Sequence, residues 1–474
     1  ARDAVGRAVG TAGSAVFFAG LTVIVALTAL SVIRISMLTT MALVAASTVA
    51  LAVLIALTLL PALLGLVGER ICSTRARDKR RAKIEVEQHT VADHWVKAVI
   101  RFRWPVIIAV IGTLGVLAMP TTDMNLGIPT GATANQDTAA RQSYEAISRG
   151  FGEGFNGPLL VTAEPAGQQA LTPELTGRLT AQLQAREDIV MAVPVGVTET
   201  GDLAVFSAIP TSGPDDEATS RLVNELRAAD NPVAVANDVT LGVTGFTAIS
   251  IDMSDKLAEV LPLYLAIIVA LSLLILMLVF RSVVVPVKAT LGFLLSILAT
   301  FGATTAVFQW GWLSSLFGFD TGGPLMSFMP IIVTGILYGL AMDYEVFLVS
   351  SMREAYVHGY HGHASVVHGF DQASRVVVAA AIIMISVFSG FIFSHDIMIK
   401  QIGFALAVGI LLDAFLVRMT LVPALMALFD DKAWWLPRWL DRLLPDLDVE
   451  GDKLLALLNT RDDARTDTPV GTRT

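Results

Sequence analysis

The chain has 474 residues, 54% apolar and 16% charged, with a mean hydropathy of +0.66. That balance excludes an ordinary soluble globular protein and points to a polytopic membrane protein. The net charge of −9 is uneven: residues 121–257 hold 7 Lys+Arg against 18 Asp+Glu, so the acidity belongs to one polar block and the rest is slightly basic.

Cys72 is the single cysteine and sits in a basic run, which excludes an internal disulfide framework and offers no metal-ligand spacing. The chain starts at Ala1 without methionine or signal-peptide architecture, and reads as a piece of a longer protein. Eight stretches are long and apolar enough to cross a bilayer as helices, roughly 11–33, 38–66, 104–120, 259–280, 285–309, 326–351, 374–394 and 399–429. Between the second and third lie Arg70, Arg75, Arg77, Lys79, Arg80, Arg81, Lys83, Lys97, Arg101 and Arg103, which mark the cytoplasmic side. Alternation then puts 121–257 outside, the Arg281–Lys288 loop inside, 310–325 outside, and both the 352–373 loop and the C-terminus inside. Trp95, Trp104, Trp310, Trp312, Trp434, Trp435 and Trp439 all fall just beyond predicted spans, as an aromatic belt requires. Trp434–Leu444 reads as a helix lying in the interface, and the tail from Pro445 as polar and loose.

The predicted organisation is therefore 1–68 (two spans), 69–103 (basic cytoplasmic linker), 104–120 (one span), 121–257 (extracytoplasmic domain), 258–430 (five spans) and 431–474 (interfacial helix and tail). Within the outer block, helix signals cover about 138–149, 172–186 and 215–229, and strand signals about 158–164, 189–195, 203–210 and 238–243. The order β-α-β-β-α-β suits a split-βαβ, ferredoxin-like α+β domain. Gly150–Gly157 is a turn-rich loop with no phosphate-loop lysine after it.

Leu57-Thr-Leu-Leu-Pro-Ala-Leu-Leu-Gly-Leu66 resembles Met419-Thr-Leu-Val-Pro-Ala-Leu-Met-Ala-Leu428, so the first two spans repeat the last two in the same orientation, an architecture known among transporters. Asp413 aligns with Leu51. The acids inside spans are Asp343, Glu345 and Asp413; Glu259 and Asp396 fall at outer ends, within reach of water. Asp343 lies about 15 Å from the next cation, Arg353, near the bilayer midplane. An ionisable side chain there is expensive and is functional by default; a structural hydrogen bond to a neighbouring helix is the alternative. Tyr344 either serves the same chemistry or simply packs. Glu345, two positions on, points away from Asp343 and reads as structural or snorkelling. Asp413 could tune the site or pair with Arg418, although five residues is poor spacing on an α-helix. Gly335, Gly339 and Asp343 recur along one helix face, where small residues admit close approach of another helix or ordinary packing.

Three motifs, Gly339-Leu-Ala-Met-Asp343-Tyr344-Glu-Val-Phe-Leu, the Gly150–Leu160 run ending Phe-Asn-Gly-Pro-Leu, and Lys400-Gln-Ile-Gly-Phe with Leu-Leu-Asp413-Ala-Phe-Leu-Val-Arg418 and Val-Pro-Ala-Leu, make the chain similar to the MMPL (mycobacterial membrane protein large) branch of the resistance-nodulation-division transporters. The resemblance implies twelve helices in a full protein, these eight being the fifth to twelfth. It also implies two extracytoplasmic porter domains, of which 121–257 is the second. It implies an Asp-Tyr pair on helix four facing one on helix ten, the two relaying protons. Asp343 and Tyr344 match the helix-ten pair; Asp413 and Glu345 are candidates for relay or tuning. Gly335 and Gly339 are expected to pack against the absent fourth helix.

The implied function is proton-motive-force-driven export of lipids or other hydrophobic small molecules across the plasma membrane. The expected partners are protons, the hydrophobic cargo, membrane lipids and the N-terminal half, with self-association left open. A midplane acid that loads a proton from one side and releases it to the other gains about 2.3 kcal/mol per 100 mV. A sterol-sensing-like lipid sensor and a protein-export accessory subunit are the rival readings. The 70–103 cations fit topology and anionic lipid, not nucleic acid. His358, His361, His363 and His368 share one loop and read as solvated, with zinc binding or pH sensing as the alternative. No nucleophile-base set, metal spacing or nucleotide loop is present, so no enzyme, metal or cofactor is expected.

Overall fold

The computed structural model describes residues 20–33, 35–67, 91–167, 170–319 and 322–443, with residues 13, 16 and 17. Cys72, the cations from Arg70 to Lys83 and the tail from 444 lie outside the described residues.

The long apolar runs fold as helices because, away from water, only internal pairing satisfies the backbone. In chain order the elements are α1 (Gly20–Val32), α2 (Ser36–Leu57), α3 (Leu59–Val67), α4 (Val91–Arg101), α5 (Arg103–Ala118) and β1 (Leu126–Gly127). Then come α6 (Ala139–Phe151), β2 (Leu159–Pro165), α7 (Pro173–Gln184), β3 (Ile189–Val197), β4 (Ala204–Pro210), α8 (Glu217–Arg227), α9 (Pro232–Asn237) and β5 (Val239–Thr244). The chain continues through α10 (Phe246–Phe280), α11 (Val284–Phe308), α12 (Ser314–Phe317), β6 (Leu325–Met326), α13 (Met329–Val357) and α14 (His363–Ile392). It ends with α15 (Ile397–Leu411), a π-helical stretch (Leu412–Leu421), α16 (Val422–Phe429) and α17 (Arg438–Leu443).

Among the described residues seven helical segments are long and apolar enough to cross a membrane: Leu38–Val67, Arg103–Asp123, Phe246–Phe280, Val284–Phe308, Met329–Val357, His363–Ile392 and Ile397–Trp434. The chain is thus mostly helical and fits a polytopic membrane protein. The first expected span is described only as the shorter α1. The span expected from 259 begins earlier: Gly245, at φ 105°, turns the chain out of β5 into one continuous 35-residue helix. Side chains at the α10 start, Ala248 and Ile251, belong to the core of the polar block, so one continuous helix, with Pro262 inside it, leads from that block into the bundle.

The polar block forms a four-stranded antiparallel sheet in the order β3-β4-β2-β5. β2 alternates buried and exposed residues; Leu159, Val161 and Ala163 face a core completed by Leu179 and Leu183 of α7 and Leu222 and Leu226 of α8. Caps set the helix starts: Thr138 and Thr172 accept from Arg141 N and Leu175 N, and Asn231 from Val233 N and Ala234 N. A second, separate core fills the helix bundle.

The two parts are stitched at one end. Leu126 and Gly127 of β1 pair in parallel with Leu325 and Met326 of β6, just before α13. Gln309, following α11, donates to Asp123 O at 2.6 Å and accepts from Asn125 N at 2.9 Å. At the other end Arg281 binds Asp441 at 2.6 Å, Ser282 donates to Ala433 O, and Trp95 donates to Met419 O. The interfacial helix expected over 434–444 is shorter, α17 alone, with Trp434 in the preceding 3-10 turn.

Candidate functional site

Asp343 lies halfway along α13, and Tyr344 and Glu345 follow it on the same turn. Tyr344 is 8% exposed and Glu345 fully buried. Glu345 does not snorkel to water: its Oε1 accepts from Lys288 Nζ at 3.2 Å, and its Oε2 accepts from Arg418 Nη1. Arg418 is itself fully buried and donates through Nε to Asp413 Oδ2 at 3.2 Å. Two cations and two anions therefore close a neutral cluster joining α11, α13 and the π-helical stretch. Desolvating four charges is costly, and such a cluster survives because each charge meets its opposite in a low-dielectric interior.

Three members of this cluster depart from the sequence reasoning. Lys288 was expected where the Arg281–Lys288 inside loop overlaps the span from 285; it belongs to α11, at 6% exposure, paired with Glu345. The signal was available, since a lysine one turn into an apolar helix needs a partner. Asp413 and Arg418 were judged badly spaced, but Leu412–Leu421 winds as a π-helix, whose wider turn brings residues five apart onto one side.

Asp343 stands outside the cluster. Its Oδ1 is buried with no hydrogen-bond partner, and it makes no ion pair among the described residues. Tyr344 is the next residue along α13 and is buried within the bundle. The site thus holds one uncompensated carboxyl beside a hydroxyl, next to a fixed charge network.

Gly335 and Gly339 do face a neighbouring helix. A Cβ at Gly339 would meet Val23 of α1 at 2.8 Å, and one at Gly335 would meet Tyr264 Oη of α10 at 2.6 Å, with Leu30 near. The face expected to receive the fourth helix is occupied here by α1 and α10. The four histidines are held separately. His368 stacks on Tyr360 at 4.5 Å, His361 packs edge-on to Tyr356, His363 Nε2 meets Ala427 O at 3.1 Å, and His358 Nδ1 lies 2.8 Å from Glu354 O.

The MMPL family model matches residues 1–112 and 136–444. "Membrane protein YdfJ" of Bacillus subtilis (strain 168) is 40% identical over 452 residues, covering 95% of this chain and 61% of that protein. "Mycolic acid-containing lipids exporter MmpL11" of Mycolicibacterium smegmatis is 35% identical over 95% of this chain and 47% of its own length. "Trehalose monomycolate exporter MmpL3" of Mycobacterium tuberculosis is 28% identical over 93% and 50% respectively. The chain therefore spans about half to three-fifths of the length of these relatives. With a lone acid beside a tyrosine in an apolar helix, a buried charge cluster, and a family match over both the bundle and the polar block, the chain belongs to the MMPL family.

Proposed function

We propose that the chain is part of a proton-coupled exporter of lipids or other hydrophobic small molecules in the plasma membrane, with residues 121–257 as an extracytoplasmic, ferredoxin-like porter domain. The domain reading is supported by the antiparallel sheet order and the two helices on one side of it. The cargo class is supported by the relatives whose names describe lipid export. Asp343 carries the proton and Tyr344 passes it; Glu345 and Asp413, neutralised by Lys288 and Arg418, hold the local field constant while Asp343 changes charge.

The observation that carries this reading is the contrast between acids. Of Asp343, Glu345 and Asp413, the last two are matched by cations and Asp343 is not, among the described residues. A buried carboxyl without a cation is stable when protonated and costly when charged, so its charge state is tied to the conformation around it. Two positions of α13, each stabilised by one state of Asp343, suffice to alternate access.

The test is Asp343→Asn in the full chain, reconstituted in liposomes under an imposed pH gradient. Proton flux and cargo export both fall to background while expression and folding are retained. Normal export by that variant across the gradient overturns the role of Asp343.

A further inference from the structure

Past α16 the chain crosses the end of the bundle that lies away from the polar block, and residues 430–441 touch two helix corners there. At the corner between α10 and α11, Ser282 Oγ donates to Ala433 O at 2.7 Å, Val283 N donates to Trp435 O at 3.2 Å, and Arg281 binds Asp441 at 2.6 Å. At the corner between α13 and α14, Gly362 N donates to Asp431 Oδ1 at 3.2 Å, and the Trp434 ring lies 5.9 Å from the Tyr356 ring. One strap of chain therefore holds both corners.

The two attachments differ in kind. Ser282 and Ala433 are fully buried, so parting them strands polar groups away from water. Asp430, Asp431 and His361 are exposed, so contacts at the other corner exchange with water at little loss. The backbone at that corner is also strained. Asp430 has φ 54° and ψ −138°, a conformation that suits glycine and few other residues. Gly362 opposite it has φ 58° and ψ −134°, and a Cβ there would meet Asp430 Oδ1 at 2.6 Å. Strain of this kind persists only while the surroundings enforce it. Asp430 relaxes when the strap lets go of Gly362, so the strain works against that contact and leaves the buried attachment untouched.

We infer that residues 430–435 are a strained latch, which stays seated on the α10–α11 corner and releases the α13–α14 corner in each transport cycle. Seated, it holds the end of α13 beside the end of α10; released, it lets α13 shift. The latch rests on the reading that α13 moves when Asp343 changes charge. Arg353 of α13 also reaches the end of α10, donating to Val279 O at 3.2 Å, but through a long side chain that follows a displaced helix. Gly369 of α14 sits directly against the backbone of Met352 on α13, so the two helices leave the latch as a pair.

The test uses the full chain in liposomes, with Cys72→Ser to remove the native thiol. Tyr356→Cys places a half-buried thiol beneath Trp434, and its alkylation by a maleimide reads release without any transport. Asp430→Gly removes the strain from the seated state, so it slows alkylation about fivefold and raises the melting temperature. Gly362→Ala crowds the contact and speeds alkylation. Tyr356→Cys with Trp434→Cys, oxidised to a disulfide, ties the latch shut: proton flux under an imposed pH gradient, read by entrapped pyranine, falls to background and returns on reduction. Alkylation in Asp430→Gly equal to the parent's, with the melting temperature raised, makes 430–435 a fixed strut and overturns the latch. Full flux through the disulfide-tied protein overturns it as well. Asp343→Asn separates the latch from the relay. Flux intact in Asp343→Asn but stopped by the disulfide sinks the relay alone, and flux lost in Asp343→Asn but undisturbed by the disulfide sinks the latch alone.

Discussion

Asp343 and Glu345 sit two positions apart on α13 and have opposite physics. Glu345 answers two buried cations; removing its charge leaves Lys288 and Arg418 facing Asp413 alone. Glu345→Gln is therefore expected to destabilise the bundle by about 3–5 kcal/mol, the cost of a buried charge stripped of its partner. Asp343→Asn removes a carboxyl that no cation balances, so it leaves thermal stability unchanged or slightly raised. Melting of the purified variants in detergent, followed by tryptophan fluorescence, separates the two. A Glu345→Gln protein that melts with the parent would show that the cluster does not hold the helices together. Tyr344→Phe loses only a hydroxyl from a residue that is otherwise packed, and is expected to slow proton flux in liposomes without abolishing it; flux equal to the parent would remove the hydroxyl from the relay. Asp343 was legible as a candidate site because depth in an apolar run is a one-dimensional property. Its independence from Glu345 was legible only as direction, since the partners that neutralise Glu345 come from residues 288 and 418, far apart along the chain.

At the scale of elements, close helix contacts depend on positions the sequence did not distinguish. Gly335 and Gly339 were singled out because they share a face with Asp343, and they meet side chains that can shift. Gly302 and Gly369 meet backbone. A Cβ at Gly302 would lie 2.0 Å from Leu117 O of α5, and one at Gly369 2.4 Å from Met352 Cα of α13. Gly302→Ala and Gly369→Ala are expected to force α11 from α5 and α14 from α13, each costing about 1–3 kcal/mol. Gly390→Ala is the control: its Cβ would meet nothing within 4 Å, and alanine's better helix propensity is worth up to about 1 kcal/mol. Equal melting of all three variants would contradict the packing described here. Helices α6 to α8 and strands β2 to β5 of the outer block were readable to within a turn, because alternation on β2 and the Thr138 and Thr172 caps are local signals, whereas the short α9 and β1 were not read. The π-helical stretch was not readable. Its α-helical alternative has the same composition, and the winding is bound up with a pairing among Asp413, Arg418 and Glu345 that crosses between helices.

For the molecule as a whole, the connection that matters runs from α13 to the outer block. β6 directly precedes α13, β1 leads from α5 into the block, and the two pair in parallel, with Ser327 N donating to Gly127 O at 2.9 Å. Gln401 of α15 closes the same junction: it is 2% exposed, and its Oε1 accepts from Met326 N at 2.9 Å. These bridges are non-local and two residues long, which is why no periodicity announced them. In the proposed mechanism they carry any shift of α13 to the outer block when Asp343 changes charge. Gln401→Leu keeps the side chain's bulk and removes its acceptor. The Met326 N–H is then left buried and unpaired, at a cost of about 1–3 kcal/mol, paid only while β6 stays in place against α15. The junction is expected to loosen while Asp343 and its surroundings remain intact. In liposomes the variant should still pass protons but export less cargo for each proton moved. A parallel fall of proton flux and export, with their ratio preserved, would instead mean that fewer molecules are folded, and would leave α13 and the outer block mechanically independent at this junction.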